Sequence, residues 1–178
     1  MRRILNLVLG LSILTACTTR DAIEAENNTS SDSSSYFRAI CYHPVPAGDT
    51  LRRWETLEED LALMKEAGVT TIRVYVPIAD EAVLDKIAAA DMRVITSFGY
   101  NQDSIYDILS GSFIDYVAQF KGHPAIFLWE LGNEYNYHPE WFGDDLNNWY
   151  DALEQAVEAI HRIDTLHPVA TAHGELPD

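Results

Sequence analysis

Two glutamates stand four residues apart in Trp129-Glu130-Leu131-Gly132-Asn133-Glu134, directly after the apolar run 125–128. An ionised carboxylate taken out of water costs roughly several kcal/mol unless it is paired or hydrogen-bonded. Strict alternation puts Glu130 on one face with Ile126 and Leu128, opposite Phe127, Trp129 and Leu131. The same parity in "TTIRVYV" (70–76) turns Arg73 toward that face, away from Ile72, Val74 and Val76. An Arg73–Glu130 pair would satisfy both charges, so Glu130 reads as structural. Glu134 lies past the end of the run, after Gly132 and beside Asn133. Walled by Trp129, Tyr135, Tyr137 and Trp141, its carboxyl would be desolvated, and such an acid can deliver a proton to a leaving oxygen. The competing reading is a solvated loop acid.

The elements that must position these residues alternate from residue 36 onward. Strands are expected at 37–43, 70–76, 92–98, 125–131 and from 169, where "VATAH" ends in His173. Helices are expected between them. One follows Thr56, with Thr56 and Glu59 forming a capping box and Gly68 ending it. A second is capped by Asp80, and a third covers about residues 113–121. A fourth opens at Asp144 or Asp145 and carries a core stripe of Leu146, Trp149, Tyr150, Leu153, Val157 and Ile160. Such alternation means a parallel sheet with crossover helices. No glycine-rich phosphate loop follows the first strand, which disfavours the nucleotide-binding version. Polar residues recur at the carboxyl ends of the strands: Tyr42 and His43, Tyr75, Tyr100, Asn133 and Glu134, His173. That is the active face of a (β/α)8 barrel, but a whole barrel needs about 250 residues. The expected fold class is therefore α/β, an incomplete (β/α)8 TIM barrel of about five strands and four helices.

The aromatic cluster Trp129, Tyr135, Tyr137, Trp141 and Phe142 supports two readings. It can form a rim on which flat sugar faces pack, or it can be core beneath a long loop. Trp141 is the better candidate for contact with a ligand and Trp129 for packing. His173 reads as a ligand-contacting residue rather than a metal ligand, because a metal needs several converging ligands. Neither a metal nor a cofactor is expected.

Composition narrows the partners. The 178 residues are 47% hydrophobic, enough for a packed core, and the formal net charge is −16. Nucleic acid and anionic membrane surfaces attract basic patches, so both are disfavoured. Arg2 and Arg3 precede a short apolar stretch that ends in Leu14-Thr15-Ala16-Cys17. This resembles the lipobox of bacterial lipoproteins, which implies cleavage before Cys17 and its acylation. The expected organisation is a signal peptide at 1–16, a lipidated Cys17 and polar tether at 17–35, and the N-terminal part of a TIM-barrel domain at 36–178. The envelope, by way of a lipid anchor, is the expected location, with the outer membrane if the host is Gram-negative. Cys41 is then the remaining thiol, with no partner for an intrachain disulfide.

The string "HPAIFLWELGNE" looks like the fourth strand of clan A retaining glycoside hydrolases, whose Asn-Glu pair ends that strand. "IRVY" after "LALMKEAGVTT" resembles their second strand, and "ICYHP" their first. The resemblance is nearest to the barrel domain of glycoside hydrolase family 2, with families 5 and 72 as neighbours, and covers about residues 37 to 178. It implies Glu134 as general acid/base, Asn133 as the partner of a sugar 2-hydroxyl and Arg73 as a residue lining the site. It implies hydrolysis of a β-linked oligo- or polysaccharide with retention. Retention needs a second carboxylate about 5 Å from the first. In the family that nucleophile sits on strand seven, which this chain lacks, so the chain is expected to be inactive alone. Glu175, at the mouth of strand five, reads as a sugar-binding or structural acid. A non-catalytic glycan-binding lipoprotein and a glucanosyltransferase are the alternatives.

Overall fold

The computed structural model describes residues 37–99 and 106–175. The signal segment, Cys17, the tether and Tyr100 lie outside the described residues. Strands β1 (Ala39–Cys41), β2 (Thr71–Val74), β3 (Arg93–Phe98), β4 (Ile126–Asn133) and β5 (Val169–Ala172) alternate with helices α1 (Leu57–Glu66), α2 (Glu81–Ala89), α3 (Ile114–Phe120) and α4 (Leu146–His161). All neighbouring strands are parallel, in the order β1-β2-β3-β4-β5. This is the expected partial (β/α) barrel arrangement, with strands in sequential order.

One face of the sheet is dry. Ile72, Val74, Val94, Phe98, Trp129 and Leu131 join Leu61, Leu84, Ile87, Val117, Phe120, Trp149 and Ile160 of the helices in one core. The other face carries Arg73, Ser97 and Glu130, with Arg73 and Ser97 both donating to the Glu130 carboxylate.

Local chemistry starts two of the helices as expected. The Asp80 carboxylate accepts from the Ala82 N–H at 3.0 Å, and that of Asp145 from Asn147 N–H at 2.9 Å. Each cap contributes about 1 kcal/mol. The Thr56 capping box does not form. Thr56 lacks extended geometry, and its hydroxyl bonds the Asp60 carboxylate instead. Tyr150 also departs from the stripe on α4: it is exposed, with its ring against His173.

Alternation in β4 breaks twice. The β3–β4 register shifts between Val94 and Ile95, so Val94 pairs with Ile126 but Ile95 with Leu128. Ile126 therefore enters the helix-side core with Trp129, not the face of Glu130. Phe127 instead meets Phe37, with ring centroids 5.0 Å apart, and the guanidinium of Arg93. A second shift, between Glu130 and Asn133 against β5, matters for the site.

Asp164 ties the segment after α4 to the sheet. It is 3% exposed and accepts hydrogen bonds from Trp129 Nε1 (2.7 Å), from the His167 ring and from the backbone N–H groups of Leu166 and His167. Burial opposes its charge, but the donors outweigh burial and hold the carboxyl at about 2, below the ordinary 3.8. A lowered folded pKa means stability that is fully present above the ordinary value and lost as pH falls through the folded one. Melting curves should show about 2 kcal/mol lost between roughly pH 4 and pH 2 on this account. Asp164→Asn should flatten that limb of the stability–pH profile; an unchanged limb would reject the assignment.

Candidate active site

The site begins with a bulge. Glu130 pairs with Ala170, yet Asn133 pairs with Ala172, so β4 carries one residue more than β5 over this stretch. Gly132 makes this possible. Its φ is +74°, and a Cβ there would stand 2.9 Å from the Trp149 ring. Without the bulge Asn133 would face away from Glu130, three residues earlier. With it, both meet Arg73.

Arg73 Nε donates to both Glu130 oxygens at 2.8 and 3.0 Å, and Nη2 donates to Glu130 Oε1 at 2.5 Å. Nη2 also donates to Asn133 Oδ1 at 3.0 Å. The two charged side chains are 15% and 10% exposed. Ser97, fully buried and in register with Glu130, donates its hydroxyl to the same carboxylate. Burial works against the Arg73 charge, but the hydrogen bonds and charge of Glu130 outweigh it and hold the guanidinium above its usual range. The Arg73 guanidinium also lies 4.6 Å from the Tyr75 ring centre, with Nη1 directed at the Cys41 sulfur. Sequence pattern marks neither Ser97 nor Cys41 as a site residue. Their signal was register alone: each stands beside Glu130 or Arg73 across the sheet.

Glu134 follows at the mouth of β4, exposed and in left-handed backbone with φ 56° and ψ 32°. Two single-turn 3-10 helices, Tyr135–Tyr137 and Pro139–Phe142, come next. The expected aromatic wall around Glu134 is not what they build. Trp129 sits on the helix side of the sheet, stacked with Phe98. Tyr135, expected to contact substrate, is 2% exposed and packs on Trp141, Phe142 and Trp149, so it presents no face to a ligand. α4 supplies the ring that buries it. Trp141 is half-buried, and His138 stacks on it at 4.0 Å. Tyr137 is exposed. His173 contacts the Tyr150 hydroxyl and the Glu175 carbonyl rather than the Arg73–Glu130–Asn133 cluster. Arg73 and Asn133 are thus brought together, with Glu134 next in the chain; His173 stands at the mouth of β5 against Tyr150, and Tyr135 is buried.

This arrangement can hold an exposed carboxyl beside a fixed amide at the carboxyl edge of a parallel sheet, where a ligand can reach both. Solved structures share its frame. A β-glucuronidase from Parabacteroides merdae matches with a TM-score of 0.62 at 20% identity, over 76% of this chain and 18% of that one. The fold is theirs, in part. A Bacteroides uniformis β-glucuronidase matches at 0.61 and 18% identity, over 78% of this chain and 18% of its own. A glycosyl hydrolase family 2 member from Bacteroides cellulosilyticus matches at 0.60 and 20% identity, over 80% and 19%. The chain therefore spans about a fifth of the length of these structures. No family model matches the sequence, and no curated protein matches it.

Proposed function

We propose that this chain supplies the acid/base half of a retaining glycoside hydrolase site for a β-linked carbohydrate. The observation that carries the reading is the Arg73–Glu130–Asn133 network, which fixes Asn133 next to an exposed Glu134 at the mouth of β4. In this reading Glu134 protonates the leaving oxygen and Asn133 bonds the sugar hydroxyl beside the reacting carbon. A second carboxylate, the nucleophile, comes from outside the five strands described. The names of the solved neighbours put β-glucuronides first among substrates to assay. Titration of the chain with β-glycosides, β-glucuronides included, should give saturable binding that Asn133→Ala weakens. Failure of every β-linked saccharide to bind would overturn the proposal. Saturable binding that persists unchanged in Glu134→Gln, with no release of reducing ends in any longer form of the protein, would favour a glycan-binding module.

The same proposal anchors the protein to a bacterial envelope through Cys17. Among the described residues no helix is long and apolar enough to cross a membrane. In a bacterial host the mature protein should begin at an acylated Cys17 and partition into detergent. Cys17→Ser should abolish that partition. An unmodified N-terminus at another residue, read by mass spectrometry, would reject the anchor.

A further inference from the structure

Glu134 holds a backbone conformation that costs a residue with a side chain about 1–2 kcal/mol. Such a conformation persists where its surroundings over-determine it. Here the surroundings are the mouth of β5. The Glu134 N–H donates to the Ala172 carbonyl at 2.7 Å, and the Glu134 carbonyl accepts from Tyr137 N–H at 3.0 Å. Asn136 Oδ1 accepts from the Gly174 N–H at 3.0 Å. The Tyr137 ring lies on Gly174 itself. A Cβ at position 174 would stand 2.8 Å from the Tyr137 hydroxyl oxygen and closer still to two ring carbons. Gly174 has no positive φ to explain it, so the close approach of Tyr137 is what requires a glycine. Desolvation, then the negative charges of Glu175 and Glu134, raise the Tyr137 phenol.

We propose that Tyr137 and Gly174 are positioning residues for Glu134, a clasp by which the mouth of β5 fixes the turn 134–137. Its functional meaning rests on the acid/base reading of Glu134; its geometry does not. The clasp fixes the backbone from which the exposed acid projects. Two hydrogen bonds and one ring contact dock the turn, one on Ala172 and two on Gly174.

The test is amide hydrogen exchange and carbon-13 NMR on the chain itself. Gly174→Ala should lower protection of the Glu134 amide about tenfold, as local opening does when one docking contact goes. It should also move the carbonyl and side-chain carboxyl signals of Glu134. The Val94 amide, bonded to the Ala125 carbonyl at 2.7 Å, should keep its protection as the control. Tyr137→Ala should reproduce the effect, and adding Gly174→Ala to it should change nothing more, because the new methyl then has room. Equal effects of Gly174→Ala with and without the tyrosine ring would overturn the clasp, as would unchanged Glu134 signals. If Gly174→Ala does not fold, Tyr137→Ala and Asn136→Ala decide alone: an unmoved Glu134 in both overturns the proposal. Glycan binding or turnover that ignores Glu134→Gln would defeat the acid/base reading and leave these spectra untouched.

Discussion

Glu134→Gln, made in an enzyme form that carries both carboxylates, should slow cleavage of natural β-glycosides by about 10²–10⁴-fold, the usual contribution of general acid–base catalysis. Aryl glycosides with activated leaving groups should be cleaved almost normally in the first step, because a good leaving group departs without a proton. The second step needs the same residue as base, so the glycosyl-enzyme should accumulate in the variant. Azide attacks without a base and should release a β-glycosyl azide. Equal slowing of both substrate classes, with no azide product, would remove Glu134 from the acid/base role.

Glu130→Gln should be the most destabilising single change at the site. It leaves Arg73 charged and nearly buried opposite a neutral amide, a loss of about 3 kcal/mol on the pattern of broken buried pairs. Urea unfolding should show this as a lowered midpoint at constant slope. Azide should rescue nothing, because the lost group holds a cation rather than a proton for the substrate. The double change Arg73→Met with Glu130→Leu should be milder than Glu130→Gln alone, since it leaves no lone charge. A double variant less stable than the single would show that the ion pair contributes net stability.

The pairing of Arg73 with Glu130 was legible because period-two alternation holds through β2 and the middle of β4. The face of Asn133 was not. Its placement depends on an extra residue opposite β5, and a bulge is decided by Trp149 packing against Gly132, from a helix beginning thirteen residues after Asn133. Ile126 was misplaced for the same kind of reason, one bulge earlier. Tyr135 shows a different limit. An aromatic just past a strand end has the same sequence signature whether it lines a cleft or fills a core. The choice falls to Trp149 and Phe142, which close over it. The helix caps at Asp80 and Asp145 were readable because each is a contact of two residues' span. The Thr56 box failed where a second local acceptor, Asp60, competed.

Arginine can only donate hydrogen bonds, and Arg73 Nη2 points at Asn133, so the Asn133 amide must turn its oxygen inward. Its NH2 is then the end left to face a ligand. On the function proposed above, a sugar atom that meets this NH2 has to offer a lone pair: a hydroxyl oxygen or an acetamido carbonyl qualifies, whereas the ammonium of a free amino sugar brings only protons to a donor. On that reading, Arg73 would act on the choice of sugar through the one amide whose orientation it fixes.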